Sequence, residues 1–283
     1  MTKAQSLLKK FNTSKTLPHV AIRLSRLISD KNSSIKEFEE IIRMDPSLVV
    51  RLLRVVNSPY YGLRQKVEDI GRAVVFVGIK NLHNLVVVEA LKDVFRKSPH
   101  EDIFSRKILW LHCAAVSICG KMIAERIVER KGEDVFLCGI LHDIGMIIED
   151  QVAQDLFLQT CKTCEPESGQ ITKYEREIIG TDHCAIGYEL ARDWKLSHEI
   201  QEGIKNHHKT LKDVSPSSIT GIIQIAGYIV SRSGYPAIPG MKGMLSPPLT
   251  THIQNNHEEY KTLARDLPDE MSKAMNLYEI QEG

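Results

Sequence analysis

Residues 136–150 read FLCGILHDIGMIIED, and no other stretch limits the possible folds as strongly. The run is apolar at almost every position, so it reads as a buried helix that ends in the pair His142-Asp143, followed by Ile144-Gly145. A polar pair is thereby carried into the interior. A neutral imidazole nitrogen and an adjacent carboxylate can hold one divalent cation from two directions, and the carboxylate can bridge to a second ion.

Helical periodicity in the rest of the chain supplies partners to bury that run. Leu17-Pro18 opens a helix with Val20, Leu24, Leu27 and Ile28 on one face, proline being accepted in the first turn. Ser34 with Glu37 three residues on forms a capping box, backed by Ile35, Phe38, Ile41 and Ile42. Asp45-Pro46 starts an apolar helix over 48–56 that stops at Asn57-Ser58-Pro59, since proline disfavours helical geometry in the residue before it. The turn that follows carries Tyr60 and Tyr61, which suit either a core or a contact surface. Further helices are expected over 67–77, closed by Gly78 as a left-handed cap, and over 81–94. Arg96 to Asp102 is polar, contains Pro99 and forms the best internal hinge, so a subdomain boundary is expected near residue 100.

Beyond it, a long helix over 104–128 places His112 beside an apolar face, and a short one is expected over 152–158. Thr172 with Glu175 suggests a helix start, as does Thr181 ahead of His183, Ile186, Leu190 and Trp194. After Ser197, Ile200, Ile204, His207 and His208 return at spacings of three and four. An apolar helix over 218–230 follows, then a loop rich in Pro and Gly over 232–248 and an amphipathic helix over 269–278. No confident strand is found, and the fold class is all-α.

Composition narrows the function. With 42% hydrophobic residues, the 283-residue chain can build a substantial core, and its net charge of +1 gives no field for nucleic acid or an acidic membrane surface. Four of the six cysteines, Cys113, Cys119, Cys138 and Cys184, fall inside apolar helical patterns and read as small buried hydrophobes of a reducing compartment. Cys161 and Cys164 make a single CxxC without the second pair a zinc site would want. The first fifteen residues hold no apolar signal segment, and no run of 18 apolar residues occurs, so a cytoplasmic protein is expected.

Five of the eleven histidines lie at the ends or apolar faces of four successive expected helices, and a helical bundle can aim such residues into one pocket. The candidate metal ligands are His112, His142, Asp143, His183, His207 and His208. Imidazoles around a carboxylate suit one or two ions of Fe, Mn, Ni or Zn better than Mg. Any one of these histidines alone reads equally well as a buried group bonded to a helix carbonyl; burying all five without a shared partner would be expensive.

These residues resemble the HD superfamily of metal-dependent phosphohydrolases. His112 matches its first histidine, His142-Asp143 the namesake pair, and His183 with His207-His208 the extra histidines of the branch that hydrolyses cyclic di-GMP. Active relatives have a late aspartate ligand where this chain has Gly227, and that branch has a lysine where this chain has Met146. The letters GYP at 234–236 recur in that branch too, but here they follow a complete apolar helix and read as an ordinary turn. A nearer resemblance is to the HDOD family, an output domain related to those hydrolases. It is carried by Asp45-Pro46, the helix ending in Asn57-Ser58, Gly71 to Ala73, Gly78, Trp110 to His112, Leu141 to Gly145, Gly180 to His183, and Trp194.

The resemblance spans about Leu17 to Ser231. It implies an HD-like helical bundle preceded by an N-terminal helical subdomain, divided as an extension over 1–16, a domain over 17–231 with parts 17–99 and 100–231, and a C-terminal loop and helix over 232–283. It also implies a bacterial signalling domain that acts on an unidentified signalling protein or on itself; the turn carrying Asn57, Tyr60 and Tyr61 and the polar hinge near residue 100 are the expected contact surfaces, since conformational signals pass at joints between helical subdomains. The competing expectation is a phosphohydrolase acting on a nucleotide or cyclic dinucleotide, with Asp143 at its catalytic centre and Glu175 or Asp182 replacing the missing carboxylate. Both acids also read as helix-start residues.

Overall fold

The computed structural model describes residues 1–13, 34–58, 61–91, 94–95, 100–164 and 171–277, with residues 20, 23, 24 and 27. Most of the helix expected after Leu17-Pro18, Tyr60, and the centre of the polar hinge lie outside the described residues. Among the described residues every regular element is a helix and no strand occurs. The helices are α1 (Lys3–Thr13), α2 (Ile35–Arg43), α3 (Pro46–Val56), α4 (Ile70–Val77), α5 (Ile79–Leu91), α6 (Arg106–Arg126), α7 (Glu133–Leu141), α8 (Ile144–Val152), α9 (Gln154–Thr163), α10 (Ile171–Ile178), α11 (His183–Asp193), α12 (His198–Asn206), α13 (Ile219–Arg232), α14 (Pro247–Asn255) and α15 (His257–Leu277).

Local chemistry sets the boundaries in the N-terminal part. Ser34 Oγ accepts from the Glu37 N–H at 3.2 Å and the Glu37 carboxylate accepts from the Ser34 N–H at 2.8 Å, closing the capping box on α2. Asp45 caps α3 ahead of Pro46. Asn57 turns inward, donating to Leu53 O and Val67 O and accepting from Val67 N–H, each at 2.7 Å, so it staples the loop ahead of α4. Tyr61 is half-buried against the same core. Gly78, at φ +82°, ends α4 and lets α5 leave at a 116° bend.

The second part is organised around α6, which packs on α7 and α13 and receives α15 along its length. By length and composition α6 could cross a membrane, yet 72% of its apolar window is buried inside the bundle, and the buried apolar faces of α7 and α13 account for that character. Arg106, at the start of α6, is paired with the fully buried Asp150 at 2.5 Å, fixing the end of α8. The amino-terminal α1 lies against α8 and α11.

Three expectations change. The helix after residue 150 is Gln154–Thr163, longer and later than 152–158. Asp182, not Thr181, caps α11, its carboxylate accepting from the Ala185 N–H at 2.8 Å. The final helix begins at His257 and runs through Pro268, because Tyr260, Leu263, Leu267 and Met271 are buried and hold it in place. Burial against the bundle outweighs the single interior proline.

Gly139 sets the separation of α6 and α7. A Cβ there would lie 2.5 Å from Ser117 Cα and 2.7 Å from Ser117 N, both backbone atoms. Gly139→Ala should therefore lower stability by about 1–3 kcal/mol, the usual range for overpacking, read as an earlier urea midpoint. An unchanged midpoint would mean the two helices can part without loss.

Candidate metal centre

The apolar run 136–150 is two helices, broken at His142-Asp143. Asp143 stands at the N-cap of α8, where an aspartate ordinarily bonds to a free helix N–H, yet its side chain makes no such bond. It turns instead into the bundle and is 2% exposed. Gly145 makes this possible: a Cβ at that position would lie 2.1 Å from the His183 carbonyl oxygen, so α8 meets the start of α11 backbone to backbone.

Four imidazoles converge on the Asp143 carboxylate. His142 Nε2 and His112 Nε2 lie 3.2 and 3.6 Å from Oδ2; His207 Nε2 and His183 Nε2 lie 3.2 and 3.4 Å from Oδ1. Their donor atoms fall into two groups that share Asp143. His112, His142 and Asp143 form one; Asp143, His183, His207 and the exposed His208 form the other, with all ligand atoms in each group within 4.8 Å. All six sequence candidates are thus brought together.

The opposite edges of the four rings are also engaged. His112 Nδ1 meets Tyr235 O at 2.7 Å, His142 Nδ1 meets Gly139 O at 2.8 Å, His207 Nδ1 meets Ile204 O at 2.7 Å, and His183 Nδ1 meets the Glu175 carboxylate at 2.8 Å. Carbonyl oxygens only accept, so at least three of the Nδ1 atoms carry the proton. In a neutral ring the Nε2 lone pair then faces Asp143. Lone pairs gathered round a buried carboxylate repel unless a cation, proton or metal, lies between them. No well-aligned donor reaches Asp143 Oδ1. The His183–His207 Nε2 separation of 3.2 Å is close to the ligand edge of about 3.3 Å implied by ~2.0–2.1 Å bonds in a tetrahedral site.

Electrostatics follow the geometry. Burial tends to raise the Asp143 carboxyl, but the surrounding histidines outweigh it and hold it well below the usual range. Burial drives His112 down to about 4. Burial also pulls on His183 and His207, yet Cys184 and the acids beside them prevail, holding His183 well above its ordinary value and His207 at about 10.

The two expected replacement carboxylates go elsewhere. Glu175 is fully buried behind His183 and accepts from both its backbone N–H and its ring, positioning that ring from outside the pocket. Asp182 serves α11 as its cap and pairs with Arg176 at 2.5 Å. Neither reaches the pocket where Gly227 lies with Met146, Gln224, Lys209 and Lys242. A Cβ at Gly227 would have no heavy atom within 4 Å.

Two participants were not singled out by sequence reasoning. The Tyr235 carbonyl comes from the loop after α13, and a main-chain acceptor leaves no trace in residue type. Cys184, read as a buried hydrophobe, sits beside His183 and His207; its adjacency to His183 was the available signal. Cys161 and Cys164 are not joined in a disulfide, and burial pushes the Cys161 thiol up, away from reactivity.

The family pattern described as HDOD domain matches residues 15–210. A Treponema pallidum protein of uncharacterised function is 24% identical over 208 residues, 72% of this chain and 39% of its own length, so the chain spans about two fifths of that relative. Among solved structures, a Geobacter sulfurreducens HDOD domain protein of unknown function aligns with TM-score 0.67 at 24% identity over 96% of this chain and 92% of its own. A Shewanella amazonensis protein with a provisional phosphohydrolase name aligns with TM-score 0.64 at 25% identity over 97% of both chains.

His207 is raised from 6.5 to about 10, so the stabilisation its protonated form provides is complete below pH 6.5 and fades as pH climbs through about 10. A metal competes for the same nitrogen. Zn2+ affinity should rise with pH up to about 10, by about tenfold per pH unit for each proton displaced. Titration calorimetry in buffers of differing ionisation enthalpy should register the released protons. A flat affinity would show that His207 is not a ligand.

Proposed function

Since the chain belongs to the HDOD domain family, we propose that it is a cytoplasmic signalling domain on a phosphohydrolase-derived scaffold that keeps a metal-binding centre and has given up hydrolysis. The observation that carries this reading is the convergence of four Nε2 atoms on Asp143, with Gly227 facing the same pocket in place of the late carboxylate. His112, His142 and Asp143 would hold one divalent ion; Asp143, His183, His207 and His208 would hold a second. Fe, Mn, Ni and Zn suit this donor set. When bound, the ions would supply positive charge to the centre of the bundle. The chain's own residues do the rest: Asp143 would be shared by both ligand groups, Glu175 and the carbonyls of Gly139, Ile204 and Tyr235 fix the rings, and Met146 contributes no charge toward a phosphate. Output would pass to a separate signalling protein or to a second copy of the chain.

A second reading, a metal-dependent phosphohydrolase acting on a nucleotide or cyclic dinucleotide, is favoured by one feature. Lys209 and Lys242 line the pocket beside the histidines and could meet an anionic substrate.

Elemental analysis of protein purified without chelator, paired with assays on bis(p-nitrophenyl) phosphate and cyclic di-GMP in Mn, Fe and Ni, separates the two. The expected result is bound metal without turnover, with metal content falling in His142→Ala. Turnover lost on changing Asp143 would establish the hydrolase instead. Gly227→Asp should fold normally, its side chain having open space, and should tighten metal binding by restoring a carboxylate. Unchanged affinity would mean that Gly227 is not the ligand position.

A further inference from the structure

Cys184 occupies the second position of α11, directly after a histidine of the cluster, and its side chain lies against two of the cluster's rings. Its Sγ is 3.5 Å from His183 Nε2 and 3.9 Å from His207 Nε2. Those two nitrogens are 3.2 Å apart and stand 3.4 and 3.2 Å from Asp143 Oδ1. A tetrahedral ion with nitrogen at ~2.0–2.1 Å and thiolate sulfur at ~2.3 Å has N···N edges of about 3.3 Å and N···S edges of about 3.6 Å. The observed spacings follow that pattern.

A second observation points to the same place independently of the thiol. Asp143 is 2% exposed, and its Oδ1, on the His183 and His207 side, has no well-aligned hydrogen-bond donor among the described residues. A buried carboxylate oxygen left in this way calls for a cation within reach. Cys184 is itself only 5% exposed, so water competes poorly for that position.

We propose that Cys184, in place of the exposed His208, is a thiolate ligand of the ion on the Oδ1 side of Asp143, joining His183 and His207 to make a mixed nitrogen, oxygen and sulfur site. The inference rests on the metal-binding reading above. On binding, the thiol proton and the Nε2 protons of His183 and His207 would leave to solvent as the sulfur–metal and nitrogen–metal bonds form. A thiolate makes this position a zinc or ferrous site in preference to manganese, whereas the His112 and His142 side offers only nitrogen and oxygen.

The test uses the full chain, stripped with chelator and reloaded with Co2+. Wild type should show cobalt d–d bands together with a near-ultraviolet thiolate-to-cobalt charge-transfer band. Cys184→Ser should keep the d–d bands, lose the charge-transfer band and bind Zn2+ more weakly by roughly tenfold or more, since even outer-shell losses reach 10–100-fold, with little change for Mn2+. Far-ultraviolet circular dichroism checks that the variant folds. Zinc-edge X-ray absorption of the wild type gives a variant-free readout: one sulfur scatterer supports the assignment. Bound cobalt with d–d bands but no charge transfer, and a zinc shell without sulfur, would overturn the role of Cys184 while leaving the metal centre standing. A chain that binds neither ion would overturn both.

Discussion

A carboxylate sealed inside a helical bundle is the constraint on which this structure turns. Removing an ionised group from water costs several kcal/mol even after relaxation, and only charge partners and hydrogen bonds offset it. Asp143 has little of the usual relief: it makes no cap bond to its own helix, and one oxygen has no well-aligned donor among the described residues. Its compensation is the ring of four imidazoles, recruited from α6, the α7–α8 junction, α11 and the end of α12. Four helical segments must arrive together before that carboxylate becomes tolerable, so the centre and the bundle are specified jointly.

The supporting shell shows how closely this is set. The bare backbone at Gly145 admits the His183 carbonyl, and Glu175 presses on the far side of the same residue. Glu149, beside Glu175, is driven up by burial and by that neighbour's charge, which favours its neutral form and leaves Glu175 to face His183. A ring held on both edges cannot rotate to a new partner without breaking a buried bond. Such a site resists rearrangement even though Gly227, on the same pocket, leaves open space beside it.

Much of this was legible in the residues because it depends on local chemistry. The capping box at Ser34 and Glu37, the Asp45-Pro46 start, the Gly78 stop and the helical spacing of His207 are all short-range, and each holds in the structure. The six candidates at the centre were found by residue type and helical end. What escaped depended on three-dimensional neighbours. Thr181 and Asp182 are both acceptable caps, and only the Arg176 pairing shows why the aspartate takes the role. Glu175 reads as a helix-start acid until α11 folds against it. Cys184 looked like filler because a thiol among apolar residues is ordinarily filler, and the extent of α15 was masked by Pro268, whose effect is outweighed by side chains packed on α6.

The bond from His112 Nδ1 to the Tyr235 carbonyl crosses 123 residues of sequence. It joins one ring of the centre to the segment that leads into α14 and α15, and α15 is clasped to α6 through Arg126, which reaches Asp266 and Glu270. A cation held at the centre would thus be linked through that bond to the carboxyl-terminal segment. A partner that tugged on the tail would loosen the grip on a cation, and by reciprocity a cation would steady the tail against the tug.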